Sequence, residues 1–125
     1  MIEFTPNQIV LLPCRMIREK DDRTYQVSVE TGDQPVEGRV NADTLMTYGN
    51  GQVYARAVVM QIKRRSITVW IPGAFTNSDG RLQLPRAWAT AHAREYDARE
   101  NNAFAGPIGE RKLPPYWGHG WFYEA

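Results

Sequence analysis

One cysteine and two histidines are the residues of this chain best suited to catalysis. A thiol beside a histidine base makes a nucleophile, and Cys14 with His92 or His119 would supply that pair. The three residues are far apart in sequence, and Cys14 lies in the apolar segment that begins at Ile9, where cysteine usually packs as a small hydrophobic residue. We therefore predict no catalytic residue, and a small hydrolase or transferase is the second alternative to a binding function.

Metal and cofactor sites need more ligands than the sequence offers. Two histidines and one cysteine are too few and too scattered for a zinc site. The segment Gly49-Asn50-Gly51 lacks the preceding strand, the following helix and the lysine of a phosphate-binding loop. We predict no metal site and no cofactor.

A run of three basic residues, Lys63-Arg64-Arg65, separates two predicted strands and forms the tip of a hairpin. Residues 51–94 carry seven basic residues and one acidic residue, whereas the first fifty residues have a net charge of −3. Basic side chains at a hairpin tip suit a nucleic-acid backbone, and aromatic side chains beside them suit stacking on bases. Arg56 and Trp70 lie on the flanking strands. The basic hairpin over residues 56–65 therefore makes a nucleic-acid-binding module the first alternative function, and the simpler explanation of the charge pattern is that the basic half pairs with the acidic half.

The end of the chain is rich in aromatic residues, since five of the fourteen lie in the last ten positions. Exposed together, such side chains would form an adhesive patch, so we expect this tail either to close the core or to form an interface. Trp117 and Trp121 are its largest side chains, and His119 lies between two glycines that allow close approach to a surface. The candidate binding residues are Arg56, Lys63, Arg64, Arg65, Trp70, Trp117, His119 and Trp121.

Alternating apolar and polar residues predict a β-rich domain that positions these groups. The clearest strand covers residues 23–31, where Tyr25, Val27 and Val29 share one face. A long strand over residues 52–63 is apolar on both faces, which predicts a central place in a sheet. Pro13 interrupts the first strand and predicts an edge or a bulge there. The fold class is α+β: a curved antiparallel sheet or small open β-barrel of five to six strands, with one C-terminal helix packed on it and a docked aromatic tail.

The remaining elements divide the chain into one domain with three parts. Residues 1–84 form the sheet or barrel, residues 85–100 the helix, and residues 101–125 an irregular aromatic tail. Asn41 to Tyr48 is expected to form one or two helical turns, because both ends carry residues that cap helices. At 125 residues the chain can bury an ordinary hydrophobic core.

The bulk composition favours a small soluble cytoplasmic protein. A single cysteine excludes an internal disulfide and fits a reducing compartment. The first residues do not show the basic region followed by an apolar run that is typical of a secretory signal. No apolar run is long enough to span a membrane. The function predicted first is a non-enzymatic binding or accessory module that acts through protein contacts, either with a partner or as a homodimer.

Overall fold

A computed structural model describes residues 2–21, 23–48, 51–76 and 79–96. All the strands in this part of the chain belong to one antiparallel sheet, and one short helix packs beside it. The strands are β1 (Ile9–Asp21), β2 (Thr24–Val29), β3 (Val36–Asn41), β4 (Leu45–Thr47), β5 (Val53–Ile62), β6 (Ser66–Trp70), β7 (Ala74–Phe75), β8 (Arg81–Pro85) and β9 (Arg94–Glu95). The helix is α1 (Arg86–His92), and Ala42–Thr44 form a single 3-10 turn.

The sheet curls into a half-barrel because its two longest strands change partners along their length. The main order is β7-β3-β2-β1-β5-β6-β8, with β4 paired to β5 and β9 paired to β1. The first half of β1 pairs with β5 and the second half with β2, and they overlap at Cys14. Similarly, β5 pairs with β4 at its start and with β6 at its end. Breaks in register within β1–β2 and β5–β6 add the local twist that bulges produce.

The hydrophobic core lies on the inner face of the curl. Strand β3 shows the alternation most simply, because Val36, Gly38 and Val40 are buried while the residues between them are exposed. Tyr25, Val27 and Val29 of β2 also face this core, as the sequence predicts. The predicted central place of β5 is confirmed as well, and β1 and β2 pair as an antiparallel hairpin.

The described residues contain nine strands where the sequence predicts five or six. The additional strands β4, β7 and β9 have three residues or fewer, which is too short for a periodic pattern to appear. The prediction of one or two helical turns at 41–48 is wrong except for one 3-10 turn at Ala42–Thr44. The residues after it, Leu45 and Met46, are wholly buried and belong to strand β4.

The helix after Pro85 is also shorter than predicted. Its last turn ends at His92, where Ala93 is extended and its N–H donates to the Ala89 carbonyl at 2.9 Å. The chain then pairs with β1 as β9 instead of continuing to residue 100. Residues 97–125, including the predicted aromatic tail, lie outside the described residues.

Pro13 lies in the middle of the sheet and within an unbroken register with β5, not at the edge or bulge that its residue type predicts. It pairs with Tyr54 of β5, and on its other side its carbonyl accepts the Glu30 N–H at 3.0 Å. On this second side β9 pairs with β1 as far as Leu11, whereas the β2 pairing starts at Cys14. The proline therefore lies where the neighbouring strand changes, and its missing N–H removes no ladder hydrogen bond there.

The helix is anchored by a close approach of Trp88 to Gly32. A Cβ at Gly32 would lie 2.6 Å from the Trp88 ring, and Gly32 has a φ of +85°. Gly51 has the same φ of +85°, yet no described atom lies within 4 Å of its Cβ direction. The two glycines share a backbone requirement and differ in packing.

This pair gives a matched test of the helix anchor. Both Gly32→Ala and Gly51→Ala place an alanine at positive φ, which costs about 1–2 kcal/mol in each variant. Gly32→Ala also overpacks the Trp88 contact, so we expect its unfolding free energy to fall by a further ~1–3 kcal/mol. Urea unfolding of both variants measures this difference, and equal losses would contradict the packing of Trp88 on Gly32.

Candidate protein-contact surface

Strand β1 buries side chains on the outer face of the sheet as well as on the inner one. Leu11 alternates with the core residues Val10 and Leu12, so its side chain points away from the core, yet it is 0% exposed. Met46 of β4 is also 0% exposed and lies outside the core cluster. Something other than the core must therefore cover these two side chains.

Their register identifies the covering side chains. Leu11 lies between Arg56 of β5 and Arg94 of β9, and Met46 lies opposite Tyr54. The Arg94 guanidinium lies 3.8 Å from the centre of the Tyr48 ring, and Tyr48 packs edge-on against Tyr54 at 5.4 Å. Arg94 and Tyr48 thus lie on opposite sides of the β1–β5 pair and meet over its outer face.

Arg56 extends the same group of side chains. Its guanidinium lies 5.8 Å from the centre of the Tyr96 ring and forms a hydrogen bond with Tyr96. Burial lowers the pKa of Arg56 below its usual range, while Tyr96 and Asp43 favour the charged form, which persists at neutral pH. Asp43 in turn pairs with Arg23 at 3.2 Å, where both side chains are substantially exposed.

We call this group of side chains the Arg–Tyr cluster: its members are Tyr48, Tyr54, Arg56, Arg94 and Tyr96. Arg94 is exposed and the other four are half-buried, so they cover Leu11 and Met46 below and present ring edges and guanidinium groups above. Tyrosine and arginine combine a large contact area with directed hydrogen bonds, and they are enriched among residues that dominate protein interfaces. The cluster has the chemistry of a contact surface.

The structure separates Arg56 from the basic turn with which the sequence groups it. Arg56 lies seven residues before Lys63 on an extended strand, a distance of about 23 Å. A different arginine joins the turn: the Arg86 backbone N–H donates to the Arg65 carbonyl at 2.9 Å, and its guanidinium donates to the Lys63 carbonyl at 3.0 Å. We call Lys63, Arg64, Arg65 and Arg86, all of them exposed, the basic end.

Trp70 lies at the opposite end of β6 from this turn. Trp70 is 38% exposed and pairs across the sheet with Val58 and Arg81. Its indole N–H donates to the Asp79 carbonyl at 3.3 Å. The remaining predicted binding residues, Trp117, His119 and Trp121, lie outside the described residues.

Cys14 and His92 are not brought together. Cys14 is 4% exposed on the inner face of β1, whereas His92 is exposed and stacks on Trp88 with ring centres 5.0 Å apart. Burial, and secondarily the nearby Glu30 carboxylate, raises the pKa of the Cys14 thiol to about 12. The thiol is therefore protonated at neutral pH.

Comparisons with protein-family models, curated proteins and solved structures gave no match. In the described part of the chain, no three His, Cys, Asp or Glu side chains come together as metal ligands. None of the helical residues described there forms a helix long and apolar enough to span a membrane.

Sequence reasoning missed most of the Arg–Tyr cluster. Arg56 is the one member among the predicted binding residues, and Tyr54 belongs to a strand that the sequence predicts correctly. Arg94 and Tyr96 fall within the predicted helix. One residue, Leu11, could have indicated it. It belongs to a strand segment with apolar residues on both faces, and each of those faces needs a cover. Arg86 was missed because its approach to the turn depends on β6–β8 pairing.

The buried thiol yields a prediction for pH. Because its pKa is raised from 9.0 to about 12, Cys14 stabilises the fold fully below pH 9, and this contribution is lost as the pH rises toward 12. We expect no alkylation of the native protein by iodoacetamide at pH 8 within an hour and complete alkylation in 8 M urea. Stoichiometric alkylation of the native protein at pH 8 would show an exposed thiolate and contradict this.

Proposed function

We propose that this chain is a non-enzymatic binding module that acts through protein contacts, with the Arg–Tyr cluster as its contact surface. The observation that carries the proposal is the stacking of Arg94 over Tyr48 at 3.8 Å above a fully buried Leu11. This geometry places a flat guanidinium group against an aromatic ring at the surface before any partner arrives. Preorganised side chains lose little conformational entropy on binding, which favours affinity.

The position of the cluster adds support. Tyr96 belongs to the cluster, and the aromatic tail follows it along the chain. That segment carries Trp117 and Trp121, whose side chains are of the type that anchors interfaces. We therefore include the tail in the contact surface, which serves either a partner protein or a second copy of the chain.

Site-directed photo-crosslinking tests the proposal. A benzoyl-phenylalanine in place of Tyr48 keeps an aromatic ring under Arg94 and reports on whatever protein touches it. In cells of the source organism we expect one discrete adduct, either a homodimer or a complex with one partner, identified by mass spectrometry. Adding Arg94→Glu should reduce the yield of that adduct at least tenfold, because it removes the stacked cation.

Ile17 provides the matched control. It is 39% exposed, similar to other large surface residues, but lies on β1 beyond the Arg–Tyr cluster. The same crosslinker at Ile17 should give no discrete adduct, and thermal unfolding should show that both substituted proteins are folded. The absence of an adduct at position 48, or the same adducts at both positions, would rule out this surface as the contact site.

A deletion distinguishes the two halves of the surface. Removing residues 113–125 takes away Trp117 and Trp121 while leaving every described residue in place. If the tail is part of the contact, the adduct formed at position 48 should become at least fivefold weaker. An unchanged yield would restrict the contact to the Arg–Tyr cluster and contradict the inclusion of the tail.

A further inference from the structure

A second surface, separate from the Arg–Tyr cluster, runs along the outer face of β6 and β8. It begins at the basic end and finishes at Trp70. Two arginines mark its ends, since Arg86 is held against the turn carbonyls and Arg81 lies directly opposite Trp70. The residues on this face are Ser66, Thr68, Trp70, Arg81 and Gln83, which alternate with the core residues Ile67, Val69, Leu82 and Leu84.

The turn is fixed by its own backbone bonds and by Arg86. Lys63 N–H donates to the Ser66 carbonyl at 2.8 Å, and Arg86 occupies the carbonyls of both Lys63 and Arg65. These bonds bring four positive charges to one edge of the sheet. In the part of the chain that the structure describes, no carboxylate forms an ion pair with any of the four. Their charge is therefore available to an anion from solution.

The face between the two ends is polar but carries no negative charge. Gln83 donates from its side-chain amide to the Ser66 hydroxyl at 3.2 Å, and Thr68 lies opposite Gln83. No acidic residue occurs on β6 or β8, and the nearest along the chain, Asp79, precedes Gly80 at the Trp70 end. From Ser66 to Trp70 the face is about 13 Å long.

We propose that this face binds single-stranded nucleic acid. Its phosphates would lie along Lys63, Arg64, Arg65 and Arg86, and a base would stack on the exposed Trp70 ring beside Arg81. Proteins that bind single strands without sequence preference combine a cationic track with aromatic stacking faces in this way. A track of this length holds a few nucleotides, at the lower end of the range for small β domains. A duplex would reach the cations but could not present an unpaired base to Trp70.

Fluorescence anisotropy with labelled 12-nucleotide dT and rU strands, and with a 12-base-pair duplex, tests the proposal in 50 and 200 mM salt. We expect single strands to bind at 50 mM salt and to dissociate as salt rises. The combined variant Lys63→Gln, Arg64→Gln, Arg65→Gln should weaken binding at least tenfold. It should also reduce the slope of log affinity against log salt by about two, because each of the three lost phosphate contacts contributes ~0.7 to that slope.

The control variant removes the same charge from another part of the surface. It combines three substitutions of exposed arginines on β1 and β3, namely Arg15→Gln, Arg18→Gln and Arg39→Gln. This variant has the same net charge as the basic-end variant. We expect its affinity to stay within about twofold of the wild type. Equal weakening by both triple variants, or no wild-type binding at 50 mM salt, would overturn the proposal.

Trp70→Ala separates single-strand from duplex binding. Loss of one stacking contact should weaken single-strand binding about fivefold or more and leave any duplex binding unchanged. If Trp70→Ala has no effect, or if the duplex binds more tightly than the single strands, this face is not a single-strand site. These outcomes are independent of the crosslinking at Tyr48, because none of the substituted residues belongs to the Arg–Tyr cluster.

Discussion

The first half of β1 is apolar on both faces, and each face must be kept from water. Val10 and Leu12 point into the core of the half-barrel, while Leu11 points the other way and is equally buried. Burying a leucine side chain is worth about 2 kcal/mol, which is lost if the outer face stays open. Within the described residues no helix lies over this face, so its cover there comes from side chains on β5 and β9 and directly after β4 and β9.

This requirement explains why the chain returns to β1 after the helix. Strand β9 has two residues, too few to be stable by itself, but it places Arg94 beside Leu11 and leads to Tyr96. Long arginine side chains cover apolar surface with their methylene stems while their charged ends stay hydrated. The two arginines of the Arg–Tyr cluster thus serve as cover and as surface polar groups at the same time. Our proposed protein-contact function uses the upper side of that cover.

The sequence predicts the parts of the fold that follow from local periodicity. Tyr25, Val27 and Val29 alternate cleanly, and the two apolar faces of β5 correctly indicate a central strand. Strands of two or three residues are set by tertiary pairing and not by local sequence. Strand β9 forms because β1 has a free edge at Val10 and Leu11, although the composition around β9 itself favours a helix. Pro13 also differs from the prediction for its residue type, because it lies between the end of the β1–β9 pairing and the start of the β1–β2 pairing.

The candidate sites show the same division. Lys63, Arg64 and Arg65 are adjacent in sequence, so their proximity needs no fold, whereas Arg86 joins them through β6–β8 pairing. The Arg–Tyr cluster draws its members from three strands and the segments beside them, and no linear motif marks it. Arg56 illustrates the limit most clearly: it lies on the same hairpin as the basic turn, yet the length of β5 assigns it to the other surface.

A double-mutant cycle between Arg94 and Tyr48 tests whether these side chains together cover the outer face. The free energies of unfolding of wild type, Arg94→Ala, Tyr48→Leu and the double variant give the coupling between the two residues. A guanidinium stacked on an aromatic ring predicts a coupling of about 0.5–2 kcal/mol. The same cycle with Arg81, which lies on β8, should give none. A coupling between Arg94 and Tyr48 below about 0.3 kcal/mol would mean that the two side chains do not pack together and do not jointly cover Leu11.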